Sequence, residues 1–398
     1  MIASTYAKML QEKSVIRELF GYALDRAKEI GYENVFDYSL GNPSVEPPRE
    51  FTESLIRLLQ EESPMKLHGY SPTLGIPSVR KKVSQSLQER FKLPYLAEHI
   101  FMTTGAAGAI AHAIRAVVTP GEEVIVFAPY FPEYKPYITL SGAIMKIVPP
   151  ELETFQIQFD QFEEMITDKT AAVLINTPNN PTGVVYSDRT LKKLAKILEN
   201  KSEQYGHCIY LISDEPYREI IFEGKITPCV SSYYKDTIMC YSFSKSLSLP
   251  GERIGYIAVN PFCKEAEAII AMCGQISRGI GHNCPPSLIQ LAVAENLHLT
   301  SDLSVYETNK SILYKELRKL GFSCVEPGGT FYIFPKALEE DAQVFSQKAK
   351  KYDLCLVPGD SFGCPGYFRM AYCIDTEKVI ASLEALNRFV KEEYGLRK

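Results

Sequence analysis

The chain has 398 residues, 45% of them hydrophobic and 23% charged, with a formal net charge of −5. That length exceeds one ordinary core and suits two domains, or a large domain with a smaller one attached, and the composition is globular. The acidic balance, with no basic tract longer than pairs such as Lys81-Lys82, leaves no footprint for nucleic acid, and no apolar run is long enough to span a bilayer, so we expect a cytoplasmic protein.

In chain order, the first twenty residues (MIASTYAKMLQEKSVIRELF) scatter Lys and Glu among apolar positions and read as a helix rather than a signal peptide. TTGAAGAIAHAIRAV (103–117) reads as a glycine turn opening a helix, whose free N–H groups and positive dipole end suit an anion. Short apolar runs follow: VIVFAP (124–129), AAVLINTP (171–178), CIYLISDEP (208–216), IMCYSFS (238–244) and RIGYIAV (253–259), all of strand length and rich in β-branched and aromatic residues. Between two of them, SDRTLKKLAKILENKSEQYG opens at an N-cap, Ser187 or Asp188, and sets Leu191, Leu194 and Leu198 on one face. This β-α-β alternation predicts an α/β fold with a largely parallel sheet covered by helices on both faces.

The last hundred residues mix helices with short strands, TFYIFPK and YFRMAYC, and predict a smaller α+β domain built from both termini. The expected division is an N-terminal helix and arm over 1–45 contributing to the small domain, a large domain over 46–290 and the rest of the small domain over 291–398. All ten cysteines lie at or beyond Cys208, with irregular spacing and no C-x-x-C pair, and no two histidines stand at i, i+4. Reduced thiols and no metal site are the expectation.

In an open α/β sheet, ligands bind at the carboxyl ends of the strands. Three successive apolar runs here end in an amide (Asn179-Asn180-Pro181-Thr182-Gly183), a carboxylate with a phenol (Asp214-Glu215-Pro216-Tyr217) and an amine (Ser242-Phe243-Ser244-Lys245). Singly each has a plain reading as a turn, a helix cap or a solvated cation. Together, NNPTG, DEPY, SFSKSLSLPGERIGY and FRMAY resemble the class I aminotransferases, pyridoxal-phosphate enzymes of fold type I with aspartate- and aromatic-specific members. The likeness runs from about Gly41 to Arg369.

The resemblance implies a three-layer large domain around a mostly parallel seven-stranded sheet, and pyridoxal 5′-phosphate as cofactor. It makes Lys245 the lysine that forms an imine with the cofactor aldehyde and Asp214 the carboxylate facing the ring nitrogen. Tyr217 and Asn180 would hydrogen-bond the ring oxygen, and Phe131 in APYFPEY would stack on the ring. Gly105, Ala106 and Ala107 would form the phosphate turn, completed by Ser242 and Arg253. Relatives often carry a hydroxyl in that turn, and its absence here leaves the work to backbone N–H groups. Arg369 would clamp the substrate α-carboxylate, since a planar guanidinium fixes geometry as well as charge, and the loop at Gly41 would close over it. Tyr70 would reach the phosphate of a neighbouring subunit, which makes a homodimer necessary.

The activity so implied is transfer of an amino group from an L-amino acid to a 2-oxo acid by a ping-pong route through pyridoxamine phosphate. Arg278, or a residue near it, is a candidate reader of a distal carboxylate, and a neutral or aromatic substrate is equally compatible. A β-eliminating carbon–sulfur lyase, or an enzyme similar to aminocyclopropane-carboxylate synthase, would need the same anchors. A non-catalytic cofactor binder would be expected to carry an accessory segment or to lack the lysine or the aspartate, and a dinucleotide enzyme is disfavoured because TGAAGA does not match G-x-G-x-x-G.

Overall fold

The computed structural model describes residues 6, 7, 9 and 14–395. Its strands are β1 (Phe36–Asp37), β2 (Ile100–Thr103), β3 (Glu123–Phe127), β4 (Ile144–Val148), β5 (Thr170–Asn176), β6 (Tyr210–Asp214), β7 (Thr237–Ser242), β8 (Gly255–Val259), β9 (Tyr332–Ile333), β10 (Leu354–Cys355), β11 (Val357–Pro358) and β12 (Phe368–Ala371). Seven of them form one sheet in the order β2-β8-β7-β6-β5-β3-β4. All are parallel except β8, which runs antiparallel to both β2 and β7.

Helices cover both faces, as the alternation along each strand requires. Val124 and Val126 turn toward the helices Gly105–Val117 and Ala266–Ile280, whereas Ile125 and Phe127 turn toward Phe159–Met165 and Asp188–Tyr205. The Asp188–Tyr205 helix shows why the sequence fixes it there. Ser187 caps it by accepting from the Thr190 N–H, Leu191, Leu194 and Leu198 are buried on one side, and Gly206 ends it in the left-handed region at φ 73°. The result is a three-layer α/β unit.

A second core gathers the two ends of the chain. β1 pairs in parallel with β10, and β11-β12-β9 form an antiparallel sheet. Tyr38 packs in one cluster with Leu313, Phe345, Phe368, Leu386 and Phe389, drawn from the helices Ser304–Lys319, Ala342–Ala349 and Thr376–Tyr394 and their strands. Tyr217, Ile220 and Phe222 extend from the strand ends of the large sheet into that same cluster, so the two cores meet directly above β6.

β1, β2, β4, β10 and β11 were not among the expected strands, and the reversed direction of β8 was not foreseen, because a buried apolar strand has the same pattern in either direction. The expected N-terminal helix is Val15–Ile30, while residues 1–5, 8 and 10–13 of that expectation lie outside the described residues.

Candidate active site

Sheet order makes neighbours of the three polar strand ends, since β5, β6 and β7 are adjacent and Asn176 stands opposite Asp214 in register. The ends are also cross-linked. Asn176 donates from Nδ2 to the Asp214 carbonyl at 2.8 Å, and its Oδ1 accepts from the Asn180 N–H at 2.6 Å. Asn180 in turn accepts at Oδ1 from Arg369 Nη1 at 3.1 Å, which ties the large sheet to β12 of the second core. Together they floor a cleft of about 250 Å³.

Asp214 is buried at the base of this cleft. The Tyr134 hydroxyl donates to Oδ2 at 2.5 Å, while Oδ1 has no hydrogen-bond partner among the described residues. Burial disfavours the charged form and lifts the carboxyl to a pKa of about 7. A buried carboxylate oxygen without a partner is costly unless something else supplies the donor.

Lys245 sits on the short helical turn Phe243–Ser246 that β7 feeds directly. Its Nζ donates to the Gly41 carbonyl at 2.6 Å and lies 5.3 Å from the centre of the Phe331 ring. Burial, reinforced by the charges of Arg253 and Arg369, pulls the amine down to about 8. A larger share of it is therefore free amine near neutral pH than of an ordinary lysine.

Arg369 is only 1% exposed. Besides Asn180 it donates through Nη2 to the Ser39 carbonyl, and its guanidinium lies against the Tyr332 and Phe362 rings, while Nε has no partner among the described residues. The Tyr217 hydroxyl meets that of Tyr332 at 3.1 Å. These groups form the wall between the amine and the second core.

A helix N-terminus, two hydroxyls and a guanidinium line another part of the cleft. Ala106 and Ala107, in the first turn of the Gly105–Val117 helix, line it with Ser242, Ser244 and Arg253. Gly105 has φ +79°, and a Cβ there would come within 3.0 Å of Arg253 Nη2, so glycine is needed both for the turn and for the arginine's approach. Arg253 is exposed and donates to the Pro250 and Thr104 carbonyls at 3.0 and 3.3 Å. The Ser242 and Ser244 hydroxyls lie 2.7 Å apart. Phe131 and Tyr137 form the side of the cleft between its two ends.

The structure thus brings together Gly41, Ala106, Ala107, Phe131, Asn180, Asp214, Tyr217, Ser242, Lys245, Arg253 and Arg369 around one cavity, with Gly105 beneath Arg253. It does not bring in Tyr70, which is fully exposed, or Arg278, which is exposed on the last turn of Ala266–Ile280. Sequence reasoning missed Asn176, Ser244, Tyr134, Tyr137 and Tyr332. Ser244 adjoins the lysine and Asn176 ends an apolar run, so strand-end logic could have found both; Tyr332 offered no local signal.

The family described as aminotransferase class I and II matches residues 33–386. An aminotransferase structure from Eubacterium rectale is 41% identical and superimposes with a TM-score of 0.95, over 99% of this chain and 100% of that one. An aspartate aminotransferase of Thermotoga maritima is 30% identical over 90% of this chain and 92% of its own. An aromatic-amino-acid aminotransferase of Thermococcus litoralis is 28% identical over 96% of each. With the strand-end constellation already in place, these likenesses lead to one conclusion: the chain belongs to the class I and II aminotransferase family and is a transaminase.

Proposed function

We propose that the cleft binds pyridoxal 5′-phosphate and that the protein transfers the amino group of an L-amino acid to a 2-oxo acid in two alternating half-reactions. The observation that carries this reading is the unpartnered Oδ1 of buried Asp214 in the same cavity as the Lys245 amine. A protonated ring nitrogen is the donor that oxygen lacks. The helix N-terminus, Ser242, Ser244 and Arg253 fit a phosphate at the other end, and Phe131 fits a ring face.

When bound, the cofactor supplies an aldehyde that condenses with amines and a ring that withdraws electrons from the substrate α-carbon. Asp214 would hold its proton-sharing partner by charge, and Tyr217 and Asn180 would hydrogen-bond the ring oxygen. Arg369 would grip the α-carboxylate with two parallel N–H bonds and so orient the α-C–H bond toward Lys245. Nζ of Lys245, with a pKa of about 8, would take the α-proton as a base and return it as an acid.

The remaining parts of this reading concern assembly and substrate. A homodimer would let Tyr70 and Arg278, both exposed on the single chain, serve the neighbouring cleft. Aspartate or glutamate would then be read by Arg278 of the neighbour, and aromatic or neutral amino acids would need no such cation; relatives named for aspartate and for aromatic amino acids support each. No described helix is long and apolar enough to cross a membrane, in keeping with a cytoplasmic setting. We divide the chain at about 45 and, instead of the expected 290, just beyond the helix Ser287–Glu295, which packs with the large unit through Ile289, Ala292 and Val293, so limited proteolysis should cut after it.

The deciding experiment mixes the cofactor-loaded protein with a panel of amino acids and follows the change in cofactor absorbance, then adds 2-oxo acids and looks for its reversal. Reversal with release of the matching oxo acid is expected. Protein that takes up no cofactor, or that releases pyruvate and ammonia from cystathionine without amino transfer, overturns the reading. Unchanged aspartate turnover in Arg278→Ala removes Arg278 from it.

A further inference from the structure

Thr104 occupies the N-cap of the helix whose N-terminus is proposed above to hold the phosphate, yet its side chain makes no capping bond. A threonine at this position ordinarily accepts from the second or third N–H of the helix, which here belong to Ala106 and Ala107. Its hydroxyl instead meets Nε2 of His282 at 2.5 Å, from a loop 178 residues away. We propose that His282 is a positioning residue for that N-terminus: by holding the Thr104 hydroxyl, it keeps that hydroxyl off the helix N–H groups and leaves them to the cofactor phosphate.

The surroundings are arranged for this. Gly108 has no side chain to separate the two groups, and a Cβ there would lie 2.7 Å from Thr104 Oγ1 and 3.0 Å from His282 Cε1. His112, 1% exposed, bonds through Nδ1 to the Gly108 carbonyl at 2.7 Å and stacks on His282 with ring centroids 5.3 Å apart, which fixes the imidazole's plane. Burial, with Arg115 and Arg253 nearby, holds His282 below the ordinary imidazole range, so its ring is neutral at neutral pH. The Thr104 carbonyl accepts from Arg253 Nη2, so Thr104 is held at both its hydroxyl and its backbone carbonyl.

A simple strut and a hydroxyl diverter differ in what a second substitution does. If His282 only braced the turn, removing Thr104 as well would weaken the site further or leave it as weak. If it diverts a competitor, removing the competitor restores the site.

The inference rests on the cofactor reading above, and titration of the cofactor-free full chain tests it. For His282→Ala we expect affinity for pyridoxal 5′-phosphate to fall about fivefold, the typical worth of an N-cap hydrogen bond. Thr104→Val in that background should restore it to within about twofold of the original protein, by the same reasoning. Inorganic phosphate, added as a competitor, should follow the same order, while affinity for pyridoxal, which has no phosphate, should not change across the series. His282→Gln, whose amide can still engage the hydroxyl, should bind normally and guards against a folding artefact. Unchanged affinity in His282→Ala, or a double variant as weak as the single one, overturns the proposal. An original protein that binds no cofactor at all overturns the cofactor reading instead.

Discussion

The two ends of the cleft are built on different physical principles. At the Asp214 end, side chains are buried, fixed to one another across three strand ends, and perturbed: a carboxyl near 7, and an amine near 8 above it. At the Arg253 end, the donors are backbone N–H groups and an exposed guanidinium that rests on carbonyls. Low dielectric magnifies charge effects at the first end, while solvent and salt moderate them at the second. On the reading proposed above, chemistry belongs to the buried end and anchorage to the open one.

Substitutions ordered by size test that contrast. Lys245→Ala should lower turnover by more than about 10⁴-fold, since in the proposed reading one group would supply both covalent attachment and proton transfer; single-turnover absorbance kinetics measure it, and a loss under tenfold would move the chemistry elsewhere. In the original protein without cofactor, addition of this amine to a simple aldehyde should accelerate as pH rises through about 8.

Asp214→Asn should cut turnover by roughly 10³-fold, a typical share for a preorganised charge in a dry site. It should also stabilise the cofactor-free fold at pH 8. The sign follows from the raised carboxyl: its stability contribution is full below the unfolded value of 3.8 and is lost as pH rises to about 7, so an amide escapes the penalty above that window. Urea unfolding of the two proteins at pH 5 and pH 8 would show the difference widening with pH. A gap that is the same at both values would mean that the carboxylate is already satisfied.

Arg369→Lys should lower kcat/KM for amino acids by about 100-fold, because a lysine cannot replace a planar fork held between Asn180 and the Ser39 carbonyl. The smallest effect is expected at the open end. Arg253→Ala should weaken cofactor binding by about tenfold at low salt and by less at high salt, as an exposed charge is screened; equilibrium dialysis at two ionic strengths would check both. A salt-independent loss would place Arg253 with the buried end.

How far the sequence disclosed this arrangement depends on distance along the chain. Asn180, Asp214, Tyr217 and Lys245 were legible because strand ends gather ligands, and Asp214 ends a strand while the other three follow within four residues of one. Ser244 and Asn176 stood beside them unread. Tyr332 and Ser39 were not legible, because their places beside Tyr217 and Arg369 depend on packing between segments 115 and 330 residues apart. The direction of β8 was hidden for a different reason: residues buried on both faces of a sheet carry no period that marks polarity of the chain.

The strip Ser39–Gly41 connects the parts in a way that reaches beyond any single contact. Its first carbonyl holds the guanidinium of Arg369 and its last holds the amine of Lys245. Two cations from opposite cores are thus gauged against one short ruler of backbone before a ligand arrives. The spacing between the Arg369 guanidinium and the Lys245 amine is thereby tied to the conformation of three residues, and covalent geometry sets only the longest reach those residues allow.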